Sequence, residues 1–151
     1  MDTARSHIDI HKFLPHRAPM LMVTKIIDLN EDTVTTEFKV TKDCIFVNND
    51  RFTESGIIEN AAQSCSAIVG QDFFAADDLE GAGNSIIGFI SGIKKAHIFL
   101  LPKTGDILTT KANLLSNYSA GNFSICTMEC KIYTGKELVA DCILNFLIQE
   151  V

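Results

Sequence analysis

The sequence predicts an α+β fold in which one long central helix is wrapped by a curved antiparallel β-sheet. Two observations carry this. Ser55 to Phe73 is rich in Ala, Ile and small residues, and its apolar side chains cover so much of a helical circumference that the helix must be largely buried. Four further segments, one before this stretch and three after it, alternate apolar and polar residues with a period of two, the mark of half-buried strands. A single buried helix and many half-buried strands fit together most simply as a sheet curved around the helix.

Taken in order, Asp9 to Leu14 reads as one or two helical turns stopped by Pro15. Met22 to Asp28 is a strand candidate. Asn30 to Asp32 is a turn, after which Val34, Thr36, Phe38 and Val40 form the inward face of a second strand. The long helix follows, with Ile57, Ile58, Ala61, Ala62, Cys65, Ile68 and Val69 as its apolar surface. Ala75 to Ser85 is a Gly- and Asp-rich loop. Ile86 to Phe99 is a long strand, and Leu108 to Leu114 alternates in the next. Cys126, Met128, Cys130 and Ile132 mark a third inward face, and Leu138, Ala140, Cys142, Leu144, Phe146 and Ile148 a fourth. Asn117 to Asn122 and Thr134-Gly135-Lys136 supply the hairpin turns.

No linker, repeat or low-complexity tract divides the chain, so residues 1–151 read as a single domain with a sizeable core. Thirteen basic against nineteen acidic residues give a formal charge of −6, which argues against nucleic acid or an anionic membrane as the main partner. No run reaches the roughly 18 apolar residues of a membrane span. Met1 to Lys12 carries charges and no apolar run, unlike a signal peptide. The five cysteines, Cys44, Cys65, Cys126, Cys130 and Cys142, are odd in number and include no CxxC pair, consistent with reduced thiols in a cytoplasmic protein. Cys126 and Cys130 on one strand face would lie about 13 Å apart, too far for a disulfide. All five read as core fillers.

The helix carries one polar line. Glu59, Gln63, Ser66 and Gly70 recur at i, i+4, i+7 and i+11 and share a face. Such a line is either the solvent face of an amphipathic helix or the polar edge of a pocket with apolar walls. Lys94, Lys95 and Lys103 form a small basic cluster, either a solvated strand end or a docking point. His7 and His11 at i, i+4 have no third metal ligand in view, and Cys65 has no histidine beside it to make it a nucleophile. No metal or cofactor signature is present.

Three blocks resemble a known family. Leu14-Pro15-His16-Arg17-Ala18-Pro19-Met20-Leu21-Met22-Val23 is similar to the opening of the FabZ-type 3-hydroxyacyl-[acyl carrier protein] dehydratases. Ile58-Glu59-Asn60-Ala61-Ala62-Gln63 is similar to their central helix motif. Gly92-Ile93-Lys94-Lys95-Ala96-His97 followed by Pro102-Lys103-Thr104-Gly105-Asp106 is similar to a third segment, and the order matches. The resemblance implies a hotdog fold and acyl thioesters, on acyl carrier protein or coenzyme A, as the substrate class. It also implies a homodimer with sites at the subunit interface, open to a trimer of dimers or to a heteromer with an active hotdog subunit. No cofactor is implied. In this family acyl carrier proteins are acidic, so the −6 charge requires a local basic patch, which the three lysines offer.

The departure from the family is as informative. Active members carry a histidine in a loop before the central helix. The corresponding stretch, Phe46 to Gly56, is shorter and holds neither histidine nor proline. Asn48 or Asn49 stands near the missing position. The chain thus resembles divergent dehydratase-like proteins of polyene and lipid gene clusters with a shortened loop and a retained glutamate. Dehydration needs a base for the α-proton and an acid for the departing hydroxyl, each worth about 10²- to 10⁴-fold. Glu59 is the catalytic candidate, acting as acid or base. Gln63, Asn48, Asn49, Gly56, Ile57 and Gly92 are the substrate-binding candidates. Gln63 would orient, and the helix N-terminus at Gly56 and Ile57 would polarise the thioester carbonyl. Asparagine exchanges no proton near neutral pH, and Asp50 of ordinary pKa is a poor acid there. His16 reads as a structural part of the opening motif, and His97 is a candidate stand-in base on a strand. A catalytically deficient partner subunit or acyl-binding protein, and an acyl thioesterase using Glu59, are the alternative readings.

Overall fold

Nine regular elements follow a short 3-10 turn in the computed structural model, which describes residues 8–73 and 86–150. The turn spans Ile10–Lys12 and is capped by Asp9, whose carboxylate accepts a hydrogen bond from His11 N at 3.0 Å. Strands β1 (Lys25–Leu29) and β2 (Thr33–Lys39) precede a two-residue pair, β3 (Val47–Asn48) and β4 (Arg51–Phe52). Helix α1 runs Glu54–Phe73, and β5 (Ile86–Ile98), β6 (Ile107–Ala120), β7 (Phe123–Thr134) and β8 (Glu137–Glu150) complete the chain. His7 and the expected loop Ala75 to Ser85 lie outside the described residues.

Six strands form one antiparallel sheet in the order β1-β2-β6-β7-β8-β5. The helix packs on one face of it, against β2, β5, β6, β7 and β8. This is the hotdog arrangement. The period-two pattern explains which face is inward: Leu108, Ala112, Cys130, Cys142 and Leu144 are buried beneath the helix, alternating with more exposed neighbours. Cys130 and Cys142 are cross-strand partners, and the Cys130 thiol meets Cys65 of the helix.

The structure corrects several boundaries. β1 begins at Lys25, not Met22, because Met22 is held from outside the sheet by the helix. β6 continues through Asn117 to Ala120. A register shift between Leu114 and Ser116 keeps the strand in the sheet, where the exposed Asn117 pairs with Cys126 and its Oδ1 accepts from the Cys126 thiol at 3.5 Å. Only Gly121-Asn122 remains as the turn, with Gly121 at φ +62. In β8 a second register shift, opposite Ile132/Tyr133, buries both Val139 and Ala140 and leaves Leu138 half-exposed rather than inward.

Among the described residues five polar side chains are buried, and every one of these is partnered. Thr36 and Ser64 share a hydroxyl contact at 2.8 Å. Ser64 also donates to Asn60 O at 2.8 Å, and Thr110 donates to Asn60 Oδ1 at 2.6 Å. Gln63 completes the set. Buried polar groups persist in a core when satisfied in this way.

Candidate active site

Met20 and Met22, in the loop before β1, bracket the site, and α1 clamps both. Gln63 is 1% exposed. Its Oε1 accepts from Met22 N at 2.7 Å, and its Nε2 donates to Met20 O at 2.8 Å and to Glu59 Oε1 at 2.8 Å. Asn60 adds a bond from Nδ2 to Met22 O at 2.7 Å. The i, i+4 spacing of Glu59 and Gln63 therefore has a specific consequence. The carboxamide is fixed by the loop, and the carboxylate one turn earlier is fixed by the carboxamide.

Upstream, Arg17 braces the loop by donating to Leu14 O and His16 O, each at 2.9 Å. Leu14 is fully buried. The imidazole of His16 is thereby brought to Glu59, with Nε2 4.0 Å from Oε1. Its Nδ1 is buried without a hydrogen-bond partner. Burial pushes the His16 pKa below its ordinary value. The Glu59 carboxylate opposes that shift and Arg17 reinforces it.

Glu59, Gln63, Ser66 and His16 edge a cavity of about 270 Å³. Ala62 and Val69 of the helix, Gly88 and Ile90 of β5, and Phe146 and Ile148 of β8 supply its apolar wall. The polar line of the helix is thus the edge of a pocket, not a solvent face: Gln63 is enclosed, and the Glu59 side chain is 27% exposed. A half-exposed carboxylate held in one orientation beside an apolar groove can exchange a proton with a polar head group whose chain lies in the groove.

Other expected contacts fall elsewhere. Asn48 is the last residue of β3, and Asn49 and Asp50 form the turn to β4 with φ of 50 and 63. All three are exposed and none lines the cavity. The shortened loop is a tight hairpin, and left-handed turn positions favour Asn and Asp. Ile57 N donates to Thr53 O at 3.0 Å within the helix, so it is not free for a carbonyl. Gly56 is buried, and a Cβ there would stand 2.5 Å from the Phe52 ring and 2.7 Å from Phe46 Cβ, so this glycine serves close packing. Gly92 sits at a register shift opposite Asn145; it is Gly88, not Gly92, that lines the cavity. His97 is exposed on β5, paired across the sheet with Asp141 and packed edge-on against Phe99, away from Glu59. Lys95 is bound to Asp141 at 2.7 Å, which removes it from the basic cluster. His11 is exposed, Cys65 is fully buried, and among the described residues no His, Cys, Asp and Glu side chains gather to hold a metal ion. His16 is the residue that sequence reasoning placed only in the scaffold. Its loop and α1 are distant in sequence, and no local spacing links them.

Fold and site together define a hotdog protein whose cavity is built around a helix carboxylate. The chain belongs to the ApeP-like dehydratase family, whose model (ApeP dehydratase) matches residues 8–150. It is 30% identical over 149 residues to the 3-hydroxyacyl-[acyl-carrier-protein] dehydratase FabZ of Chlamydia muridarum, covering 93% of this chain and 90% of the relative. It is 31% identical over 148 residues to FabZ of Sulfurovum sp., covering 93% and 95%. Among solved structures, the dehydratase heterocomplex ApeI:P from Xenorhabdus doucetiae matches with a TM-score of 0.75 at 21% identity, over 96% of this chain and 92% of that one. A hypothetical thioesterase with coenzyme A from Streptococcus pneumoniae matches with a TM-score of 0.59 at 12% identity, over 83% and 85%. Among the described residues, no helix is long and apolar enough to cross a membrane.

Proposed function

We propose that the chain eliminates water from 3-hydroxyacyl thioesters carried on acyl carrier protein or coenzyme A, with Glu59 as the proton-exchanging residue. The observation that carries this reading is the Gln63–Glu59 bond at 2.8 Å, which fixes a carboxylate at the edge of the apolar cavity. The acyl chain lies along Val69, Ile90, Phe146 and Ile148, and the thioester head lies at Glu59. Gln63 orients Glu59 and does not bind substrate, since both its N–H groups are committed. The family membership and the FabZ relatives support the reaction class. Incubation with a 3-hydroxyacyl-carrier substrate tests it. A 2-enoyl product supports dehydration, while free thiol without enoyl product indicates a thioesterase instead.

The β5 edge favours an assembly of hotdog subunits. β5 is the outermost strand of the sheet, pairs only with β8 among the described residues, and exposes Phe89 and Ile93. An uncovered edge of this length is a template for pairing with another strand. A second copy of this chain is the direct occupant. A histidine-bearing hotdog subunit is the alternative, favoured by the hairpin at Asn48–Arg51 and by the likeness to a dehydratase heterocomplex. Mass measurement of the purified chain, alone and co-expressed with such a subunit, distinguishes the two.

A further inference from the structure

Dehydration breaks the Cα–H bond, whose electron pair becomes the Cα=Cβ double bond. The Cβ–O bond breaks in turn, and its pair leaves with an oxygen that must gain a proton to depart as water. Glu59 can take the Cα proton and return it to that oxygen, so one group balances the reaction. What it lacks is a donor to steady the departing hydroxyl.

We infer that His16 is this second group, a neutral imidazole whose Nε2–H donates a hydrogen bond to the leaving oxygen beside Glu59. The inference rests on the dehydratase reading above. His16 Nε2 and Glu59 Oε1 are 4.0 Å apart, too far to bond each other. An oxygen about 2.8 Å from each fits between them at the usual hydrogen-bond distance. Both side chains line the same cavity.

The surroundings select the protonation state. Nδ1 is buried and unpartnered. A neutral ring with its proton on Nε2 leaves only a lone pair there, whereas an imidazolium would bury an unanswered N–H. The desolvation that lowers the His16 pKa acts in the same sense. The backbone that carries the ring is braced, because Arg17 holds the His16 carbonyl and Gln63 holds the loop beyond it. His16 therefore gives up no proton during the cycle. The Cα proton passes to Glu59 and from Glu59 to the hydroxyl, and water leaves.

Two substitutions separate this role from that of a proton carrier. His16→Gln keeps an N–H donor that exchanges no proton, and His16→Phe keeps the ring without a donor. H16Q is expected to retain kcat within about tenfold. H16F is expected to lose about 10²- to 10³-fold in kcat, the range for deleting one preorganised donor, with KM little changed. Equal losses in both variants, no loss in either, or a loss confined to KM would overturn the inference. Absence of turnover by the wild-type chain, alone and with a partner subunit, would instead overturn the dehydratase reading. The ¹⁵N shifts of the His16 ring in the wild-type protein give an answer that needs neither turnover nor a folded variant. A neutral Nε2–H tautomer near pH 7 is expected, and an imidazolium or an Nδ1–H tautomer contradicts the role.

Discussion

Gln63 donates to Glu59 at 2.8 Å while its carbonyl oxygen accepts from the buried Met22 amide at 2.7 Å. One side chain thus joins the opening loop to the helix carboxylate, and loop position and carboxylate orientation cannot vary independently.

That coupling makes Gln63→Leu a double lesion. The Met22 N–H loses its acceptor in a buried setting, which costs about 1–3 kcal/mol. Urea unfolding should show this loss. Under native conditions, the variant's turnover should fall further than its unfolded fraction explains, because Glu59 is no longer oriented.

Gly56→Ala should destabilise the protein, against the usual rule for helices. Alanine gains about 1 kcal/mol of helix propensity over glycine. The added Cβ, however, meets the Phe52 ring at 2.5 Å and Phe46 Cβ at 2.7 Å. Overpacking of that kind costs about 1–3 kcal/mol, so the net change is a lower melting midpoint.

The His16 imidazole predicts a pH dependence of stability. Its folded pKa is lowered below the ordinary 6.5, chiefly by burial. The unfolded chain therefore binds more protons in the window from about pH 6.5 down to the folded value, and stability rises with pH across it. Urea midpoints of the wild type should fall as the pH drops through this window, and H16Q should fall less. Equal slopes would contradict the assignment.

The thiols should divide by burial. Burial pushes the Cys142 pKa up to about 12, and Cys130, against Cys65, is also raised. Cys65, Cys126, Cys130 and Cys142 are buried, while Cys44 is half-buried. A thiol reagent near pH 8 should label Cys44 first and the other four only on unfolding.

The helix and the sheet were legible because their signals are periodic. The Ser55–Phe73 assignment differs from α1 by one residue, and the inward faces at Leu108–Leu114 and Cys126–Ile132 follow directly from alternation. Boundaries failed where periodicity breaks, at the register shifts near Leu114 and Tyr133. The Glu59, Gln63, Ser66 line was readable for the same reason, since helical spacing alone puts those residues on one edge of the cavity. His16 was not, because 43 positions separate it from Glu59 and only the clamp by Gln63 and Asn60 closes that distance. Asn48 and Asn49 stand near the position of the family's loop histidine, and the backbone there is a tight hairpin with Asn49 and Asp50 in left-handed turn conformations.

The most direct test of the Glu59 assignment compares wild type and Glu59→Gln for enoyl formation from one 3-hydroxyacyl-carrier substrate, in the assembly that proves active. The isosteric amide keeps the shape of the site and removes proton exchange. Enoyl product is expected from the wild type, and at least about a 10²-fold loss of kcat in E59Q with an unchanged melting midpoint. Equal turnover by the two proteins would contradict the assignment.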